Sequence, residues 1–234
     1  MEMITELLTS IHWGAVAQII MIDILLGGDN AVVIALACRN LPPKQRTQGI
    51  FWGVFGAIAL RVVLITCAVY LLQVPLLKVV AGALLVWIGV KLLIPHEEED
   101  ANVEASTKLL GAIKTIIVAD LVMSIDNVIG IAGAAQQAAE GHQTLLIIFG
   151  LLVSVPFIIF GSQVILKLFD RFPIIVTFGG ALLGWIGGGL IVGDVLIAEH
   201  LPASDWIHHV AAAVGALLVI GLAEMVKRRR VTQA

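Results

Sequence analysis

Residues 19–30 read IIMIDILLGGDN, and residues 116–127 read IIVADLVMSIDN. Aligning the two stretches puts Asp23 on Asp120, Asp29 on Asp126 and Asn30 on Asn127, at an offset of 97 residues. A second pair lies farther along: GALLVWIG at 82–89 and GALLGWIG at 180–187, at an offset of 98. Two matches in the same order at nearly one offset mark an internal duplication. Each copy holds three apolar runs long enough to cross a bilayer, which takes ~20 residues per helix. They fall at 12–37, 49–72 and 75–94, then at 109–134, 143–166 and 173–193. A seventh run, 206–226, lies outside the duplication.

Three is an odd number of spans, so the second copy must enter the membrane from the opposite side. The expected fold is therefore all-α. It is a polytopic membrane protein with seven transmembrane helices, arranged as two inverted-topology three-helix repeats plus a seventh helix. Such repeats are common in secondary transporters, whose substrate sites lie near the midplane between the copies. The chain divides accordingly. Residues 1–94 form the first repeat, 95–107 an acidic cytoplasmic linker and 108–194 the second repeat. Residues 195–234 supply an outer loop, the seventh helix and a basic cytoplasmic tail.

Composition agrees with that class. Of 234 residues, 59% are hydrophobic and 13% charged, against ~25% charged in soluble domains. Mean hydropathy is +1.03. A soluble fold this apolar could not clothe its surface in polar groups. The net charge of -3 and the lack of a basic face exclude a nucleic-acid binder. Cys38 and Cys67 form no CxxC pair, so no disulfide or thiolate-metal framework is expected. The acidic start, MEMITE, is unlike a signal peptide. Neither HExxH nor GxSxG occurs, so no enzyme is expected, and no cofactor beyond a transported ion.

Lysine and arginine set the orientation. Arg39, Lys44 and Arg46 follow the first run; Lys91, Lys108 and Lys114 flank the linker; Lys167 and Arg171 follow the fifth; Lys227 to Arg230 follow the seventh. With seven spans all of these fall on one side, and Lys78 is the one cation in the opposite loops. The N-terminus is thus expected outside and the C-terminus in the cytoplasm, in a bacterial plasma (inner) membrane.

Asp23 and Asp29 lie in the first span, Asp120 and Asp126 in the fourth. A charge at the bilayer centre costs roughly 2.5–3.5 kcal/mol on insertion scales. Protonation, pairing with the mid-span Arg61, or a bound cation must offset this. Asp23 to Asn30, and Asp120 to Asn127, span nearly two helical turns and share a face. Gly27-Gly28 before Asp29 would loosen the first span and free carbonyls as ligands; the second copy has Ser124-Ile125 there. Carboxylates and amide carbonyls are hard oxygen ligands, suited to Mg, Ca or Mn. The candidate metal ligands are Asp29, Asn30, Asp126, Asn127, Asp23 and Asp120, in one midplane cage or in an outer and an inner pair. Arg61 is the charge-balancing residue; its repeat equivalent is Ile158. Met123 is read as apolar packing, and Gly180, Gly184 and Gly188 as a stripe for close helix contact.

At these motifs, IDILLGGDNAVVIAL and ADLVMSIDNVIGIAG, with the following RNLPPKQR loop, the chain resembles the TerC family of integral membrane proteins. The likeness covers about residues 10–228 and is greatest to the short bacterial branch of metal transport proteins. It implies export of Mn2+ from the cytoplasm, with Asp29, Asn30, Asp126 and Asn127 as core motif positions and Asp23 and Asp120 as neighbours. The expected function is therefore manganese efflux by alternating access, with protons as counter-ion. The rivals are Ca2+ or Mg2+ transport, and a membrane scaffold that delivers metal, of tellurium-resistance type. The expected partners are the metal ion and the lipid bilayer, and a homo-oligomer is among the arrangements the sequence allows.

Overall fold

The structure is a computed structural model that describes residues 20–21, 28–71, 74–94, 105–135, 143–202 and 205–233. Among them there are eight helices and no strand. They are α1 (Gly28–Cys38), α2 (Pro43–Leu71), α3 (Leu77–Leu93), α4 (Ala105–Ala135), α5 (Gln143–Arg171), α6 (Ile174–Val192), α7 (Val195–Ala198) and α8 (Asp205–Gln233). Proline punctuates the chain. Pro43 opens α2, where its missing N–H costs nothing, and Pro173 immediately precedes α6. Pro156 lies inside α5, where the bilayer tolerates it because neighbours can satisfy the freed carbonyl.

Four stretches are long and apolar enough to cross a membrane: Pro43–Ile65, Ile148–Arg171, Ile174–Val192 and Trp206–Arg229. The other three expected spans are described in part or are shorter. α1 has 11 residues, and most of the run before it lies outside the described residues. α3 has 17, at the short end of the range that crosses a bilayer, about 17–25. α4 has 31, but the side chains of 126–135 lie outside the described residues. The long helices turn bulky apolar side chains outward, including Phe55, Phe157, Phe160, Phe178 and Leu217. That outer surface suits lipid rather than water.

The core centres on α1, whose Val33, Ile34 and Leu36 pack with Ile50, Leu85, Ile116 and Leu183. α2 lies along α4, α1 along α5, and α3 along α6, with α8 covering α6 and part of α3. Glycine decides how close these helices come. A Cβ on Gly82 would strike the carbonyl oxygen of Gly187, and one on Gly187 would meet that of Gly82 at 2.7 Å. Seven residues along, a Cβ on Gly89 would stand 3.2 Å from the carbonyl of Gly180. Gly82 pairs with Gly187 and Gly89 with Gly180, so α3 and α6 run antiparallel. On the far face of α6, Gly184 abuts the Gly215 backbone and Gly188 that of Ala211.

The two ends of the bundle are held differently. At one end Arg46 bonds the carbonyls of Arg39 (2.7 Å) and Leu41 (2.9 Å) and pairs with Asp170 at 3.2 Å. At the other, Asp194 is buried. It accepts N–H bonds from Leu196, capping α7, and from Leu76 and Lys78 at 3.3 and 3.2 Å. Those two bonds hold Leu76 in a left-handed conformation, φ 62°, that a leucine rarely adopts. The end of α6 is thereby stitched to the start of α3.

The glycine contacts make a direct prediction. Gly188→Val should destabilise the protein by about 1–3 kcal/mol, the cost of overpacking a tight contact. Gly221→Ala, where an added Cβ meets nothing, should be neutral or stabilising by up to about 1 kcal/mol. Thermal unfolding in detergent reads both; equal midpoints for the two variants would contradict the close crossing of α6 and α8.

Candidate functional site

The polar interior is built where α2 meets α4. Gly53 and Gly56 on α2 have no side chain, and Ile116 and Ile117 of α4 fill that space: a Cβ on either glycine would stand 2.5–2.6 Å from an isoleucine methyl. This close approach brings Arg61, farther along α2, onto the face of α4 that carries Asp120 and Ser124. These two are four residues apart and lie one turn above each other.

The three side chains close a ring. Arg61 donates through Nη2 to Asp120 Oδ1 at 2.5 Å and through Nε to Ser124 Oγ at 3.0 Å. Ser124 in turn donates to the other carboxylate oxygen, Asp120 Oδ2, at 3.2 Å. Arg61 is 2% exposed, Asp120 7% and Ser124 0%. A lone charge at such a site would be several kcal/mol unfavourable; a charge-assisted pair with a hydroxyl bridge offsets most of that.

Asp29 and Asn30 approach from the first turn of α1. Asp29 is half-buried, within Coulombic reach of both Asp120 and Arg61. One of its oxygens accepts the backbone N–H of Asn30 at 2.8 Å. Asn30 is 3% exposed, and among the described residues neither its amide oxygen nor its amide nitrogen has a hydrogen-bond partner. An orphaned buried amide costs about 1–3 kcal/mol, so a ligand or water is the expected partner. Met123, also buried, packs within the apolar core.

The structure thus brings together Asp29, Asn30, Asp120 and Arg61 out of the seven residues singled out in the sequence. Asp23 lies outside the described residues. Asp126 and Asn127 continue the α4 helix, but their side chains are outside the description. Among the described residues no three His, Cys, Asp or Glu side chains gather into a ready cage. Sequence reasoning missed two residues. Ser124 was weighed only as the counterpart of a glycine, although its spacing of four from Asp120 placed a hydroxyl beside the carboxylate. Asp194 is not among the residues the sequence singles out, although an Asp just before a short apolar turn is a helix cap in waiting.

Residues 8–231 match the integral membrane protein TerC family. The chain belongs to the TerC family. Among its relatives is the uncharacterized membrane protein YjbE of Bacillus subtilis (strain 168), 46% identical over 186 residues, which cover 78% of this chain and 83% of that one. The uncharacterized membrane protein YceF of the same organism is 27% identical over 92% of this chain and 84% of its own. The UPF0053 inner membrane protein YgdQ of Escherichia coli (strain K12) is 24% identical over 81% of this chain and 84% of its own. No solved structure matches the chain. A multi-pass membrane protein of TerC type therefore carries a buried Asp–Arg–Ser ring and, in the first turn of α1, a buried asparagine amide with no partner among the described residues.

For this TerC-family protein, Arg61→Leu should strand Asp120 and cost about 3–5 kcal/mol, as breaking one partner of a buried pair does. Adding Asp120→Leu should restore much of that loss, since neither charge is then left alone. A double-mutant cycle by thermal unfolding in detergent measures the coupling. Additive effects would show that the pair does not hold the bundle together.

Proposed function

We propose that this protein exports Mn2+ across the bacterial inner membrane by alternating access through the Asp/Asn site. The observation that carries the reading is the buried Asn30 amide, unpartnered, beside Asp29 and the Arg61–Asp120 pair. Two carboxylates and an amide oxygen in an apolar bundle form a hard, negative donor set short of one cation. With Asp23, Asp126 and Asn127 from the repeat motifs the set has enough oxygens to replace part of a metal's hydration shell. Arg61 neutralises Asp120 while the cargo is absent, and protons reload the remaining carboxylates on the return step.

The inverted repeat is supported by reciprocity in the packing. Under the repeat offset Gly82 corresponds to Gly180 and Gly89 to Gly187. Exchanging the copies turns the Gly82–Gly187 contact into the Gly180–Gly89 contact, and both occur. In the same way α2 on α4 becomes α5 on α1, and both of these occur too. This is the pattern a pseudo-two-fold axis in the membrane plane produces. In this reading seven helices span, with α1 extended by the residues before it. The end bearing Arg39, Arg46, Lys91 and Lys108 faces the cytoplasm, and the Asp194 end faces out. Rocking of the copies about their interface exposes the site to each side in turn.

An all-oxygen donor set also suits Ca2+ or Mg2+, and that is the second reading. The test uses a host without its own Mn exporters, grown under Mn stress. It carries empty vector, wild type, or Asp29→Asn with Asp126→Asn, with membrane levels matched. Wild type should lower cell Mn by elemental analysis while the variant matches the empty vector. Equal Mn in all three would refute Mn export, and a selective fall in Ca or Mg would assign the cargo instead.

A further inference from the structure

A cavity of about 250 Å³ opens at the end of the bundle that carries Arg39 and Arg46, between the last turns of α1 and α3 and the first turns of α4. Its polar lining comes from three elements: Asn40 after α1, Lys91 on α3, and Thr107, Lys108 and Thr115 on α4. Its deeper wall is apolar, with Leu36, Leu92 and Ala112. Lys91 lies over the ring of Trp87 with its ammonium 5.2 Å from the centroid, so its aliphatic stem follows an aromatic that itself faces outward. Neither Lys91 nor Lys108 pairs with a carboxylate among the described residues, whereas Arg46, Arg61 and Arg228 do. Thr115 is already committed, its hydroxyl donating to the carbonyl of Gly111 at 2.8 Å. The Lys91 and Lys108 side chains and the Thr107 hydroxyl thus line a space with greasy walls, and neither lysine is neutralised by a carboxylate among the described residues. Lys108 and Thr107 also sit in the first turn of α4, where the helix dipole adds positive potential.

We propose that this cavity binds the phosphate headgroup of an anionic phospholipid. A free phosphate would want polar groups on all sides. Here the cations line one part of the cavity and leucines another, which fits a phosphodiester whose glycerol and acyl chains continue along apolar surface. Basic pockets between transmembrane helices on the cytoplasmic side take anionic headgroups for this reason. The assignment to the cytoplasmic leaflet rests on the orientation proposed above; the binding itself does not depend on transport.

The test is native mass spectrometry of the full chain in detergent, titrated with phosphatidylglycerol, with phosphatidylcholine, or with inorganic phosphate. Wild type should retain one phosphatidylglycerol in preference to phosphatidylcholine. Lys91→Gln with Lys108→Gln should weaken that adduct about 30-fold, from about a kcal/mol per basic residue. Arg228→Gln with Arg229→Gln, which removes tail charge away from the cavity, should leave it unchanged. Gly111→Leu keeps both lysines but fills the cavity, because a Cβ there meets nothing within 4 Å; it too should abolish the adduct. Retention in Gly111→Leu, or equal loss in the tail variant, would reduce the effect to general surface charge and overturn the proposal. Competition by inorganic phosphate alone at equal concentration would assign a soluble anion instead and overturn it as well. So would a wild type with no adduct, as expected if Glu97 to Asp100, next in sequence, neutralised these lysines.

Discussion

A guanidinium and a carboxylate inside an apolar helix bundle must find each other, and the rest of this structure is arranged around that requirement. Arg61 and Asp120 sit on different helices, in different copies of the duplication. Their contact fixes the rotation of α2 against α4, because a turn of either helix about its axis would leave one charge in hydrocarbon. The glycines at 53 and 56 permit the helices to close to the distance the pair needs. Ser124 then uses the lone pairs and protons that the ion pair leaves over. Packing and electrostatics are thus one constraint here: the glycines without the pair would give a close contact with no preferred register.

The same logic explains why small residues and polar capping hold the bundle together alongside its apolar core. In lipid, apolar side chains gain little by leaving one apolar surface for another, so helix association depends on close backbone approach and buried polar contacts. The α3, α6 and α8 crossings use glycine against backbone. The helix ends use Arg46 and Asp194, each of which collects several backbone or side-chain groups from separate loops. Asp194 is buried and Arg46 partly exposed, and both tie a loop of the first copy to an element of the second.

Much of this was legible in the sequence because membrane solvation leaves coarse marks. The helical class, the duplicated Asp-Asn motifs and the glycine stripe at 180, 184 and 188 are periodicities that survive without tertiary information. What was illegible depended on partners across helices. Nothing in the α2 sequence shows that Arg61 meets Asp120, since all four Asp lie in spans. Ser124 is unremarkable until a guanidinium is placed opposite it. Helix ends were illegible too: the apolar run is read as 75–94, yet the αL turn at Leu76, pinned by Asp194, starts α3 at Leu77.

The duplication is broken where the chemistry lies. Under the same offset Asp120 corresponds to Asp23, but Arg61 corresponds to Ile158 and Ser124 to Gly27. Ile158 is buried in the core and has no charge to offer. The second copy therefore carries an aspartate met by its own hydroxyl and by a cation from the first, while the first carries an aspartate whose sequence counterparts are apolar. For a body that rocks between two equivalent shapes, such a break matters. Strict two-fold symmetry would give the inward and outward states equal energy with identical sites. A tethered arginine on one copy makes the carboxylates inequivalent, so that a divalent cation meets one partnered acid and others still in need of charge. In the proposed exporter that asymmetry, and not the shared fold of the copies, is what distinguishes loading the site from emptying it.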